Sequence, residues 1–133
     1  MLKVIDHIGI NVTDYERAKK FYAAALAPLG IEVVMEFGHA VGFGKGGKPE
    51  FWIGTGKASF QSDAQVASIT PIHVCFTAAT RADVDAFYKA AIAAGGKDFG
   101  GPGVRAHYHP NYYGAFVLDF DGHNIEAACH LAE

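Results

Sequence analysis

Two histidines and one glutamate have the residue types and positions that could form a metal site. His7 and His73 each lie in a short segment in which apolar and other residues alternate, and Glu126 lies in the middle of a third such segment. Alternation of this kind indicates strands, with these side chains opposite the apolar stripe. Two imidazoles and a carboxylate are a minimal set for a divalent ion that keeps positions open for water or substrate. The alternative is that both histidines are hydrogen-bonded structural residues, and the residues alone leave both interpretations open.

The two histidines occupy equivalent positions of an internal repeat with an offset of 66 residues. Residues 7–22 align with residues 73–88, and the match includes a Phe-Tyr pair and extends to a terminal glycine. Self-similarity at a fixed offset indicates duplication of a structural unit. The sequence therefore predicts one domain over residues 1–133, made of module one (residues 1–60) and module two (residues 69–133).

Each module begins with a strand followed by an amphipathic helix. In module one, Thr13 with Glu16 three residues later predicts a capping box, and Gly30 predicts the left-handed end of the helix. In module two, Thr80 and Asp83 predict the helix start. The helix of each module is expected to cover the apolar face of its own sheet, which leaves the other face free to line a cavity.

Three further strands are predicted after each helix. In module one they cover residues 31–37, 40–44 and 50–53. In module two they cover residues 97–99, 112–119 and 123–130, with a Gly/Pro-rich loop over 100–110 and an Asp-Gly hairpin turn. The predicted fold class is α+β, with two tandem βαβββ modules that form a curved mixed sheet around a cleft.

Composition excludes several classes of protein. Half of the 133 residues are hydrophobic, which suffices for a core, and the net charge of −3 with scattered lysines and arginines gives no basic stripe for nucleic acid. No apolar run has the roughly 18–20 residues that a membrane span needs, and the N-terminus does not resemble a signal peptide. Cys75 and Cys129 lie in apolar segments without CxxC spacing, which predicts buried, reduced cysteines in a cytoplasmic protein.

The residues resemble the vicinal oxygen chelate superfamily, which includes glyoxalase I, fosfomycin- and bleomycin-resistance proteins and extradiol dioxygenases. The resemblance covers nearly the whole chain and is strongest in the run AFVLDFDGHNIE at residues 115–126, which is similar to the family's closing hairpin. It implies that His7, His73 and Glu126 are metal ligands and that the chain forms a homodimer, with a cleft that either lies within one chain or combines modules from two chains.

One position departs from the resemblance. Glyoxalase-like members carry a further ligand on the last strand of module one, where this chain has Trp52. An indole nitrogen only donates and therefore cannot bind a metal, whereas the ring can stack on a substrate. Glu50 lies two residues earlier and on the same face, from which its carboxylate could reach inward. Three ligands fit a facial triad better than the complete glyoxalase set.

The loop before the closing hairpin supplies candidate substrate contacts. Arg105 is a candidate for pairing with an anion, and His109 and Tyr113 are candidate polar contacts in the pocket, together with the neighbouring His107 and Tyr112. The alternative is a solvated arginine on a turn with aromatic residues packed nearby.

These observations predict a metal-dependent glyoxalase- or dioxygenase-type enzyme acting on a small oxygenated substrate. Zn, Ni, Mn or Fe would be held by His7, His73 and Glu126, and Glu126 is also the candidate catalytic residue. Trp52, Arg105, His109 and Tyr113 would bind the substrate. The alternative function is metal-free binding or sequestration of a small molecule, as in bleomycin-resistance proteins.

Overall fold

The computed structural model describes residues 4–132, and within them two βαβββ modules follow each other along the chain. The elements of the first module are β1 (Ile8–Asn11), α1 (Tyr15–Leu26), β2 (Glu32–Phe37), β3 (Ala40–Lys45) and β4 (Lys48–Gly54). A short linker helix, α2 (Asp63–Ala67), comes next. The elements of the second module are β5 (His73–Thr77), α3 (Arg81–Ala93), β6 (Lys97–Val104), β7 (Tyr113–Leu118) and β8 (Asn124–Cys129).

The strands form two four-stranded mixed sheets of identical topology, with the orders β1-β4-β3-β2 and β5-β8-β7-β6. In each sheet the first strand pairs in parallel with the last, and the remaining pairs are antiparallel. The predicted fold class is confirmed. The repeated strand order also matches the predicted duplication.

A shared core lies between the helices and the sheets. Phe21 and Tyr22 of α1 are fully buried and contact aromatic side chains of β4 and of the β7–β8 connection. Helix α3 packs on β7 and β8, and the two helices contact each other. Because the core occupies the helix side of each sheet, alternation places Trp52 and Glu126 on the opposite face. No helix in residues 4–132 is long and apolar enough to cross a membrane.

Two local predictions need correction, and one short helix was not predicted. The N-cap of α1 is Asp14 rather than Thr13, because the amide and hydroxyl of Thr13 donate to the distant Asp121 instead. Strand β6 continues through the Gly/Pro-rich segment to Val104, where a loop was predicted. Helix α2 was not predicted, since its capping box at Ser62 is followed by a segment without a buried stripe. The alternation predicts the first strand over residues 3–12, of which residue 3 lies outside the described residues and β1 covers Ile8–Asn11.

The helix boundaries at Gly30 and Thr80 are confirmed. Gly30 has φ 78°, the left-handed conformation that favours glycine, and it follows a single 3-10 turn over Ala27–Leu29. The Thr80 side chain accepts a hydrogen bond from the Asp83 amide and caps α3. These local signals were reliable because each is satisfied by atoms only three residues away.

Candidate metal and ligand site

Glu126 is a buried carboxylate on the helix-free face of the second sheet. Its neighbours Ile125 and Ala127 are in the core, so strand alternation turns Glu126 to the other side of β8, where it is nevertheless only 2% exposed. The hydroxyl of Tyr112 donates a hydrogen bond to one carboxylate oxygen. The other oxygen lies 3.1 Å from Nε2 of His73.

His73 is oriented by the backbone of the neighbouring strand. Its Nδ1 lies 3.0 Å from the carbonyl oxygen of Asn124. Because a carbonyl only accepts hydrogen bonds, Nδ1 carries the proton and Nε2 points at Glu126. A backbone carbonyl that holds the second nitrogen in this way is typical of histidines that bind metals. The His73 side chain is 49% exposed, so a ligand can reach the pair from solvent.

The contact between His73 and Glu126 requires a proton or a cation between the two facing atoms. Without one, Nε2 of the neutral ring presents a lone pair to a carboxylate oxygen, and two acceptors at this distance repel each other. A proton held by either group, or a bound cation, removes the repulsion. Within the described residues, His73 is the only basic side chain that pairs with Glu126. The nitrogen and oxygen donors therefore fit a divalent metal.

His7 lies elsewhere in the single chain. Its Nδ1 is 2.7 Å from a carboxylate oxygen of Asp6, which also pairs with Lys48, and these hydrogen bonds hold the pKa of Asp6 below its usual range. His7 borders a cavity of about 570 Å³ together with Trp52 and Phe60. Across residues 4–132, no three histidine, cysteine or acidic side chains are grouped closely enough to hold a metal. The structure thus brings together His73 and Glu126 of the predicted triad, without His7.

Trp52 is the counterpart of Glu126 in the first sheet. Gly9 pairs with Trp52 in the β1–β4 register, and Cys75, which is 66 residues after Gly9, pairs with Glu126. The Trp52 indole stacks on Phe37, with ring centroids 5.9 Å apart and planes inclined by 9°. The first sheet therefore presents an aromatic surface where the second presents a carboxylate.

The position of the Trp52 indole depends on a glycine in the adjacent strand β3. A Cβ at Gly42 would lie 2.9 Å from the indole Cε2 atom, which is closer than side chains tolerate. The absence of a side chain at Gly42 therefore lets Trp52 lie across β3, a contact that the pattern of residues does not predict.

Glu50 does not share the face of Trp52. A register shift between Phe43 and Gly44 pairs Phe43 with Phe51 and Gly44 with Pro49, so Glu50 lies at the β-bulge and the alternation breaks. Glu50 borders a cavity of about 410 Å³ with Phe43 and His73, whereas Trp52 does not border it. The expectation that Glu50 and Trp52 point the same way is wrong because it assumed regular alternation.

The remaining predicted contacts are distributed over both faces of the second sheet. Arg105 lies beside Phe116 on the helix-free face. His109 packs against His130, which in turn contacts Tyr112. Tyr113 lies on the helix side, where its hydroxyl donates to Asp85 of α3.

The tyrosine that contacts Glu126 is thus Tyr112 and not its neighbour Tyr113. Sequence alone could not choose between adjacent tyrosines, because β7 begins between them and the first strand residue sets which side each one faces. The internal repeat does not distinguish Tyr112 from Tyr113 either, because the loop before β7 has no aligned counterpart in module one.

The prediction that both cysteines are buried is wrong for Cys75. Both cysteines are free, but Cys129 is buried whereas Cys75 is exposed. Its thiol is close to Tyr112 and Glu126, and desolvation together with the Glu126 charge raises the pKa of Cys75 to about 12. A thiol with this pKa is protonated at neutral pH and is a poor nucleophile.

Paired βαβββ modules, with a histidine and a buried carboxylate on the helix-free face of one sheet, define the class of fold to which this chain belongs. Residues 4–127 match the profile of the Glyoxalase/Bleomycin resistance protein/Dioxygenase superfamily, and the chain belongs to that superfamily. Among curated proteins, none matches this chain.

Solved structures share the fold over nearly their full length. A glyoxalase/bleomycin resistance protein from Albidiferax ferrireducens is 28% identical, with a TM-score of 0.77 over 96% of this chain and 99% of the other. A glyoxalase/bleomycin resistance protein/dioxygenase family enzyme from Burkholderia phytofirmans is 22% identical, with a TM-score of 0.73 over 95% and 98% of the two chains. A lactoylglutathione lyase from Agrobacterium tumefaciens is 20% identical, with a TM-score of 0.67 over 97% and 95%.

Proposed function

We propose that this protein is a metal-dependent enzyme of its superfamily, in which His73 and Glu126 bind a divalent ion that acts on a small oxygenated substrate. The observation that carries the proposal is the 3.1 Å approach of a histidine nitrogen to a buried carboxylate oxygen. The bound ion would supply Lewis-acid polarisation of adjacent substrate oxygens.

Residues of the chain would position and protonate the substrate. Glu126, as the candidate catalytic residue, is the carboxylate available for proton transfer beside the ion, and Tyr112 holds one of its oxygens in place. The free cysteines support a reducing compartment, and we propose a cytoplasmic location on that basis.

We further propose that the third ligand is His7 of a second copy in a homodimer. His7 is the repeat counterpart of His73, yet in one chain the two residues line different cavities. Facing the first sheet of one copy against the second sheet of another would bring the two halves of the site together. Exposed apolar side chains on the edge strands β2 and β6 support such a contact, namely Val33, Met35, Phe37, Phe99 and Val104.

Metal analysis tests the enzyme proposal. Purified protein, stripped with chelator and reloaded in turn with Zn²⁺, Ni²⁺, Mn²⁺ and Fe²⁺, is expected to retain at least one of these ions. His73→Ala and Glu126→Gln are expected to abolish retention. His39→Ala, which changes a histidine in the β2–β3 turn, serves as the matched control and is expected to retain the ion. Failure of the parent protein to retain any of the four ions would overturn the proposal.

The second candidate function is metal-free binding of a small molecule with a flat aromatic group. The stack of Trp52 on Phe37 favours it, because an aromatic surface stands at the position equivalent to Glu126. Quenching of tryptophan fluorescence by planar aromatic compounds distinguishes the candidates, since Trp52 is the only tryptophan in the chain. Saturable quenching in chelator-stripped protein, combined with no metal retention, would favour this function.

A further inference from the structure

We propose that Arg105 anchors an anionic group of the ligand, so that the substrate of this site carries a carboxylate or phosphate in addition to the oxygens that face the metal. The assignment of Arg105 to the substrate rests on the proposed function, whereas anion binding by Arg105 can be tested without a metal. Three observations support anion binding: the hydrogen bonds that hold the guanidinium, the lack of a carboxylate paired with it among residues 4–132, and its distance from His73.

The glycine-rich part of β6 forms a cradle for the guanidinium group of Arg105. One terminal nitrogen donates to the carbonyl oxygen of Gly103 at 2.9 Å, and the other donates to that of Gly101 at 2.8 Å. A Cβ at Gly103 would lie 3.0 Å from one of these nitrogens, and a Cβ at Gly100 would lie 3.2 Å from the other. The glycines thus leave the space that the guanidinium occupies and fix its orientation.

The charge held in this cradle has no acidic partner within the described part of the chain. Both hydrogen-bond partners of the guanidinium are neutral carbonyl groups, and no carboxylate among residues 4–132 pairs with Arg105. A guanidinium has five N–H donors, of which two are used here. The remaining donors and the uncompensated charge suit a planar or tetrahedral oxyanion, because the guanidinium fork matches carboxylate and phosphate groups.

Phe116 places the arginine next to the His73–Glu126 pair. The Arg105 guanidinium lies 5.4 Å from the centre of the Phe116 ring, and the His73 ring stacks on the same side chain at 6.2 Å. Phe116 also pairs with Glu126 in the β7–β8 register. Arg105 and His73 are therefore separated by no more than the two ring distances combined, which a small molecule with an anionic end can span.

An NMR titration of chelator-stripped, ¹⁵N-labelled protein tests the proposal. The probes are inorganic phosphate and succinate, with succinamide as the uncharged counterpart of succinate at constant ionic strength. We expect saturable shifts of the Arg105 side-chain Nε–H signal and of the Gly101 and Gly103 amides with both anions, and no such shifts with succinamide.

Variants separate a specific site from general attraction of anions. Arg105→Gln is expected to weaken phosphate binding by about tenfold or more, corresponding to about 1.4 kcal/mol, and Arg105→Lys is expected to retain part of the affinity. Arg81→Gln is the matched control, since Arg81 also lies over an aromatic ring, that of Tyr113, and donates to a backbone carbonyl, but on the helix side. Equal affinity in the parent and Arg105→Gln proteins, or an equal loss in Arg81→Gln, would overturn the proposal.

The same variants distinguish failure of this inference from failure of the metal proposal. Arg105→Gln is expected to retain metal at the level of the parent protein, whereas His73→Ala is expected to lose metal but still bind phosphate when stripped. If no ion is retained but phosphate still shifts the Arg105 signal, anion binding stands and the enzyme proposal fails. If metal is retained and phosphate gives no shift, Arg105 is not the anchor.

Discussion

At the scale of single residues, the candidate site depends on how the two oxygens of Glu126 are held. One accepts from Tyr112 and the other faces His73, so the carboxylate is fixed although it is buried. Burial and the adjacent carboxylate raise the pKa of Tyr112 well above the ordinary phenol range. Tyr112 therefore remains a hydrogen-bond donor across the whole physiological pH range, which makes it a positioning residue.

Removal of that donor should weaken both the fold and the site. In Tyr112→Phe we expect a loss of about 1–3 kcal/mol in the free energy of unfolding, since a buried carboxylate oxygen loses its partner. Metal affinity should fall by about 10- to 100-fold, as is usual when a group that orients a ligand is lost. Urea unfolding and metal titration measure the two effects. Tyr108→Phe, in the exposed part of the same loop, should leave both unchanged, and an equal effect there would contradict the assignment.

The thiol of Cys75 should be slow to react despite its exposure. A pKa of about 12 leaves it almost entirely protonated at pH 8, and only the thiolate is a nucleophile. In a Cys129→Ser background, which leaves Cys75 as the sole thiol, we expect alkylation by iodoacetamide to be slower than that of the unfolded chain by at least about tenfold. A rate equal to that of the urea-unfolded protein would show that the thiol is not protected.

The raised pKa of Cys75 also determines how the contribution of this thiol to the free energy of unfolding changes with pH. The unfolded chain loses the thiol proton at lower pH than the folded chain does. The contribution of Cys75 to folding is therefore fully present below pH 9 and decreases as the pH rises from about 9 toward 12.

At the scale of elements, the turn between β7 and β8 joins the two modules. Asp119 of this turn accepts a hydrogen bond from the buried hydroxyl of Tyr22 at 2.5 Å. Asp121 accepts from Thr13, and the ring of His123 accepts from the Ile72 amide while its other nitrogen donates to the Asn11 carbonyl. The turn, which lies near the end of module two, therefore holds the starts of both modules.

Loss of the Tyr22 hydroxyl should destabilise the protein by about 1–3 kcal/mol, because it leaves the buried carboxylate of Asp119 short of one donor. The matched variant is Tyr88→Phe, which removes a hydroxyl that donates to the exposed Asp98. That change is expected to stay within about 0.5 kcal/mol. Chemical denaturation of Tyr22→Phe and Tyr88→Phe compares the two, and equal losses would contradict the role of the turn.

At the scale of the whole molecule, the proposed homodimer makes a prediction about mixed chains. Neither His7→Ala nor Glu126→Gln alone can form a complete triad. A dimer with one copy of each variant contains one intact set of ligands, formed by His7 of the Glu126→Gln chain with His73 and Glu126 of the His7→Ala chain. We expect one ion per mixed dimer after co-expression and tandem purification with two different tags.

Two controls are needed to interpret the mixed-dimer experiment. Each variant purified alone should bind substantially less metal than the mixed dimer. Light scattering should give a mass of about twice 14.2 kDa for the parent protein. A monomeric mass, or a mixed sample that binds no more metal than the separate variants, would contradict a site shared between copies.

The sequence by itself determined the fold class, the duplication and the helix-free faces of the strands. These follow from local patterns, because alternation with a period of two decides the face of a strand residue and a cap is satisfied within three residues. The positions of His73 and Glu126 belong to this group, since each lies in a regular strand whose apolar neighbours are in the core.

Only the tertiary structure determined which side chains contact each other. The bulge that separates Glu50 from Trp52 and the choice of Tyr112 over Tyr113 depend on how neighbouring strands pair, and the Arg105 cradle depends on the course of the β6 backbone. The redirection of Thr13 to Asp121, 108 residues later, depends on a long-range contact that competes with the local cap. The pattern within one strand does not by itself specify bulges or which residues of its partner lie opposite.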